Sequence, residues 1–196
     1  MKRVLVIHGW GNVRPVGHWH RNLVTALRQQ GHAVAYPQLP NTEFPNLADW
    51  SDVALNELAM LKEVSDDELI VIGHSLGTLT WLHLALSGKL PERPSRVLLV
   101  APADPDLCGE VPSFQLDMTD SSVRAAAHAS ADATLFVGSD ADPWTPRGVA
   151  ATFAEPLELP LVTVIGAGHF AGEEGWGPWQ GILDWVLDPT ADLTKR

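Results

Sequence analysis

Two kinds of apolar spacing alternate along the chain. Continuous runs of mainly branched aliphatic residues occur at 4–7, 69–72, 97–100, 134–137 and 161–165. Each has the length and composition of a strand buried on both faces. A shorter run at 33–36, ended by Pro37, reads the same way. Between these runs the apolar positions recur every three or four residues. Trp19, Leu23, Ala26 and Leu27 share one face of a helix over 18–30, which Gly31 stops. Leu47, Trp50, Val53, Ala54, Leu58 and Leu61 give an amphipathic helix over 46–62. Residues 78–86 read as a helix, and Trp179, Ile182, Leu183 and Val186 form the apolar side of a last one over 179–187. A weaker pattern places a helix near 147–154. Residues 102–132, rich in Pro and Asp, are the least regular part and hold one short helix over 121–129.

Strand alternating with helix is the pattern of a parallel sheet covered on both faces, joined by right-handed crossovers. The sequence has no internal repeat, no low-complexity stretch and no linker. A single α/β domain over 1–196 with about six strands is therefore expected.

In such a sheet, sites gather at the carboxyl ends of the strands. Four of those ends carry reactive or turn-forming residues: His8-Gly9-Trp10, Ser75, Asp142 and His169. The stretch Gly73-His74-Ser75-Leu76-Gly77 lies between a strand and a helix. The bare Gly-X-Ser-X-Gly pattern would arise by chance in roughly one sequence in fifteen of this composition, so its context carries the weight. Strand, sharp turn and helix would lift the Ser75 hydroxyl above the sheet edge as a nucleophile. A serine needs a base, and the base needs an orienting partner. His169 follows the last strand in a Gly-X-Gly-His loop that can fold back over that edge. His18, His20, His32, His83 and His128 lie on helices or at their edges and read as surface or packing residues; His74 adjoins Ser75 but is expected to point elsewhere. Asp142, before Pro143, is the favoured acid; Asp140 is the nearest alternative, and Asp104 and Asp106 are more distant ones. The backbone N–H groups of Leu76 and Trp10 are the expected donors to an oxyanion.

Composition narrows the reading. The net charge is −11, from 13 basic and 24 acidic residues, which disfavours nucleic acid and anionic membranes as partners. Cys108 is the only cysteine, so neither an intramolecular disulfide nor a cysteine metal cluster can form. There is no His-Glu-X-X-His motif, no dinucleotide fingerprint and no phosphate-binding Gly-Lys-Ser/Thr, so neither metal nor cofactor is expected. The apolar start meets His8-Gly9 too soon for a signal peptide, and no run reaches about 18 apolar residues. A cytoplasmic protein is the expectation, with its oligomeric state open. Eight tryptophans are unusually many, and most sit near the expected site or in the last helix.

These segments together resemble the small α/β-hydrolases of the retinoblastoma-binding protein 9 and YdeN type, a serine hydrolase family. The resemblance is carried by His8-Gly9, His18-Trp19, Gly73-His74-Ser75-Leu76-Gly77, Ala101-Pro102-Ala103, Asp140-Ala141-Asp142-Pro143 and Gly168-His169-Phe170. Gly175-Trp176-Gly177-Pro178-Trp179-Gln180-Gly181 is similar to the bacterial branch. The resemblance implies an α/β-hydrolase fold with a compact sheet of about six strands, without the first antiparallel strands of larger hydrolases. It implies a triad of Ser75, Asp142 and His169, with Asp142 preferred because the family acid directly precedes a proline. The retinoblastoma-binding tag Leu-X-Cys-X-Glu is absent: in Asp106-Leu107-Cys108-Gly109-Glu110 the leucine comes one place late, so that partner is not implied. The expected activity is hydrolysis of a small ester, thioester or amide through an acyl-enzyme. A small-substrate peptidase on the same triad, or a binding or regulatory module with an idle one, are the alternatives. Residues 102–132 are too few for a large cap, and Phe114, Leu116 and Met118 could flank the cleft with Trp10, Trp144 or Trp176.

Overall fold

Strand β1 (Arg3–Ile7) sets the pattern for the computed structural model, which describes residues 1–196. Val4, Leu5, Val6 and Ile7 are all fully buried. Val4 and Val6 face one side of the sheet, with α1 (Trp19–Gln29) and α6 (Gln180–Leu187). Leu5 and Ile7 face the other, with α2 (Leu47–Val64), α3 (Leu76–Ser87) and α4 (Ser121–Ala129). The period of two in a strand thus feeds two cores, and each such side chain contributes roughly 1.5–3 kcal/mol of transfer free energy.

The other strands are β2 (Ala33–Ala35), β3 (Leu69–His74), β4 (Arg96–Val100), β5 (Ala133–Ser139) and β6 (Leu161–Val164). All pairings are parallel, in the order β2-β1-β3-β4-β5-β6. This is the α/β-hydrolase fold in a compact form, without a large cap. The chain runs outward from β1 to β2, crosses back to β3, and then adds strands in sequence toward β6. The reversal beside β1 is the topological switch at which such sheets carry their sites.

Local chemistry sets the helix ends. Asn46 accepts the Ala48 N–H at the start of α2, and Asp120 accepts the Ser122 N–H at the start of α4. His18 caps α1 with its ring, accepting the His20 N–H at 3.3 Å. The irregular segment after β4 contains two 3₁₀ turns, Pro105–Glu110 and Pro112–Phe114, before α4. Phe114 and Met118 are buried in the main core and Leu116 packs against it, so these residues do not flank the cleft. The helix expected near 147–154 is a π-helical turn, Ala150–Ala154, running into α5 (Glu155–Leu157). Strand β6 stops at Val164, and Ile165 is exposed as the chain turns at Gly166. No helix is long and apolar enough to cross a membrane.

Candidate active site

The turn after β3 places Ser75 at φ 56° and ψ −123°, a conformation rare for a residue with a side chain. Close packing makes room for it. A Cβ on Gly77 would lie 2.2 Å from the Ile7 carbonyl oxygen, and one on Gly9 would lie 2.6 Å from the Ser75 Cβ. The Ser75 N–H donates to the Val100 carbonyl, and Ser75 Oγ is set beside the loop that follows β6.

That loop brings the His169 ring over the sheet edge. His169 Nε2 lies 2.9 Å from Ser75 Oγ. On the far side of the ring, Nδ1 lies 3.0 and 2.9 Å from the two carboxylate oxygens of Asp142. The Asp142 side chain is wholly buried, whereas that of His169 is 12% exposed and faces the cleft. Asp142 Oδ1 also accepts the Trp144 N–H at 2.9 Å, and Thr145 Oγ1 donates to the Pro102 carbonyl, so the turn that carries the acid is tied down. The two candidate acids separate by contact. Asp140 Oδ1 accepts the Gly166 N–H at 2.7 Å and braces the loop from outside. Asp104 pairs with Arg147, as does Asp106.

His8 orients the neighbouring loop. The Leu39 N–H donates to its Nε2 at 3.0 Å, so the ring hydrogen is on Nδ1, which donates to the Gly9 carbonyl at 2.9 Å. Burial, against the favourable contact with that carbonyl, lowers its pKa to about 4 and keeps the ring neutral. This bond fixes the Gly9–Trp10 peptide plane. The Trp10 N–H, on the opposite edge of that plane, takes no acceptor within the chain. The Leu76 N–H opens α3 and has no carbonyl one turn earlier in the helix to receive it.

Ser75 and His169 form part of the wall of a cleft of about 380 Å³. Trp10, Val13, Leu107 and Trp144 supply much of its apolar surface, and Asn12 and Glu173 are among its polar residues. Trp176 lies in the core instead, with its indole N–H on the Ala167 carbonyl. Cys108 also lines the cleft, but burial, followed by Asp104 and Asp106, pushes its thiol up to about 11, away from the nucleophilic thiolate. No group of three or more His, Cys, Asp or Glu side chains is placed to hold a metal ion.

Two histidines have contacts that the sequence pattern did not suggest. His18, expected as a surface or packing residue, lines the cleft as well as capping α1. His74 Nε2 lies 2.9 Å from the carbonyl oxygen of His169. Both depend on α1, β3 and the loop after β6 meeting in space, which no local spacing records. His32, His83 and His128 make backbone contacts away from the cleft.

Sheet order, elbow and cleft together define an α/β-hydrolase. The chain belongs to the serine hydrolase family, whose sequence model matches residues 4–187. Among solved structures it is similar to the ydeN gene product of Bacillus subtilis, with 23% identity, a TM-score of 0.75, and coverage of 95% of this chain and 97% of that one. It is also similar to a YdeN-like hydrolase of Pectobacterium atrosepticum described as putative, with 25% identity, a TM-score of 0.67, and coverage of 95% and 89%. Est1E from Butyrivibrio proteoclasticus shares the fold at 17% identity and a TM-score of 0.62, over 94% of this chain and 84% of that one. No curated protein matches the sequence.

Proposed function

We propose that this protein hydrolyses a small ester, thioester or amide, carboxylesters foremost, through an acyl-enzyme formed on Ser75. The observation that carries the reading is the unbroken line from Ser75 Oγ through His169 to Asp142, set in the wall of an apolar cleft. Ser75 Oγ attacks the acyl carbon while its proton passes to His169 Nε2. Asp142 accepts the Nδ1–H, holds that tautomer and stabilises the imidazolium that forms. The Trp10 and Leu76 N–H groups donate to the developing oxyanion. Collapse of the tetrahedral adduct breaks the bond to the leaving group, which takes its proton from His169 Nε2. Water then repeats the sequence on the acyl-serine, losing its proton to His169 and releasing the acid and free Ser75.

The volume of the cleft suits a short acyl group, and its apolar wall offers few partners to the backbone of a peptide. Two measurements test the reading. Ser75→Ala should abolish labelling by a fluorophosphonate probe and lower hydrolysis of p-nitrophenyl butyrate by about 10⁴-fold. Retention of activity within tenfold would remove Ser75 from the chemistry, and a wild-type protein that the probe does not label would favour a binding module. Across p-nitrophenyl esters, kcat/KM should peak at about two to six acyl carbons. A peak at twelve or more would require a deep tunnel in place of this cleft.

A further inference from the structure

The loop from Gly166 to Trp176 carries His169, and it has little regular structure of its own. Phe170 takes a positive φ of 56°, unusual for a residue with a side chain. Free of constraint, such a segment would sample many conformations. Side chains within the loop and from α1 and β3 hold its backbone. The Trp176 indole N–H donates to the Ala167 carbonyl at 2.7 Å, and that of Trp19 donates to the Phe170 carbonyl at 3.0 Å. Glu174 Oε2 accepts the N–H groups of His169 and Ala171 at 2.8 and 2.9 Å. The carbonyl of His169 itself faces His74 Nε2 at 2.9 Å.

We infer that His74 is a positioning residue for His169, donating its Nε2–H to the His169 carbonyl and so holding the imidazole within reach of Ser75. The inference rests on the reading of His169 as the base. A carbonyl oxygen can only accept, so the hydrogen of a neutral His74 ring is on Nε2. The other ring nitrogen, Nδ1, is buried without a hydrogen-bond partner, whereas Ser75 Oγ meets His169 Nε2, so His74 does not take the serine proton. The ring is buried against His18, Trp19 and His20, with centroid distances of 6.0, 5.5 and 4.9 Å. It lies 5.2 Å from the His169 ring, centroid to centroid. It belongs to the last residue of β3, in register with Val100 of the central sheet, and Ser75 is the next residue along. One strand end therefore locates both partners of the proton transfer: it presents the Ser75 hydroxyl above the sheet and fixes the main chain that carries the base. A displacement of about 1 Å in such a pair costs on the order of a hundredfold in rate.

The test compares two side chains of similar length in the full chain. His74→Met removes the donor, and His74→Gln keeps an N–H donor about where Nε2 lies. Hydrolysis of p-nitrophenyl butyrate, thermal unfolding and the far-downfield proton resonance of the His169–Asp142 bond are measured for each, with His169→Ala alongside. The Met variant should lose about ten- to a hundredfold in kcat, with KM within about twofold and the downfield resonance broadened. The Gln variant should recover to within about threefold of wild type. Should the Met variant not fold, His74→Asn, whose donor falls one bond short, takes its place in the comparison. If His169→Ala retains activity, the reading of the base fails. If His169→Ala is inactive while the donorless variant keeps wild-type kcat, the positioning role alone is overturned. Equal losses in the Met and Gln variants would also overturn it, because packing of the imidazole would then be what matters.

Discussion

Acid should unfold this protein well before its carboxylates titrate. Four imidazoles, His8, His18, His20 and His74, are buried where the sheet edge meets α1. Burial lowers His8 to about 4, and burial opposed by Glu173 lowers His18 to about 4. Burial, reinforced by neighbouring histidines, holds His20 and His74 well below the ordinary 6.5. As pH falls through 6.5 the unfolded chain takes up protons that the folded chain refuses. Stability therefore drops from about pH 6.5 and stops dropping only when the folded rings protonate. For His8 and His18 the loss is about 2 kcal/mol each at pH 5 and about 3 kcal/mol each at pH 4. His20 and His74 add to it with the same sign. Burial alone would raise Glu68, but hydrogen bonds from Arg96 and Lys2 outweigh it, and its contribution fades only below its ordinary value of 4.5. Urea unfolding followed by far-UV circular dichroism should show at least about 4 kcal/mol less stability at pH 5 than at pH 7, against a typical total of about 5–15 kcal/mol. His20→Phe should flatten that slope, because it removes a ring that refuses the proton, and it breaks no hydrogen bond, since neither ring nitrogen of His20 has a partner. A loss under about 1 kcal/mol between pH 7 and pH 5, or an unchanged slope in His20→Phe, would refute the argument.

The remaining expectations concern the site. Asp142→Asn should lower kcat by about 10⁴-fold. Asp140→Asn should stay within about threefold of wild type, because an amide oxygen can still accept the Gly166 N–H; the reverse ranking in ester hydrolysis would move the acid to Asp140. Gly9→Ala should abolish probe labelling and lower the thermal unfolding midpoint, since the new methyl would lie 2.6 Å from the Ser75 Cβ and 3.2 Å from the His74 carbonyl oxygen, neither of which can swing aside. Gly77→Ala should instead destabilise the whole fold by at least about 2–3 kcal/mol in urea unfolding, because its methyl meets the backbone of β1, which cannot give way.

The fold was legible because both periodicities were strong. The branched runs at 4–7, 69–72 and 97–100 lie within central strands, and the spacing of Leu47, Trp50, Ala54 and Leu58 matches α2. Chain order and strand ends pointed to Ser75, Asp142 and His169, and the structure brings those three side chains within hydrogen-bond distance. Contacts made by packing were not legible. Phe114 and Met118 could by their spacing either flank the cleft or cap the core, and the fold buries both in the core. The tryptophan count registered as unusual, but not the use of Trp19 and Trp176 as donors to the loop of His169. Asp140 and Asp142 stand two residues apart, and the folded chain exposes the first and buries the second against His169.

The strand order also has a consequence for synthesis. Ser75 follows the third strand, whereas His169 follows the sixth, 94 residues later, on a loop fastened partly by its own Trp176. A chain emerging from the ribosome can assemble β1, β3 and β4, and with them the elbow, while the base is still untranslated. Until β6 docks at the far edge and its loop is gripped, the serine is an ordinary alcohol. Hydrolytic competence is thus the last property the chain acquires, and the same closing segment supplies Trp179, Ile182, Trp185 and Val186 to the core against Val4 and Val6.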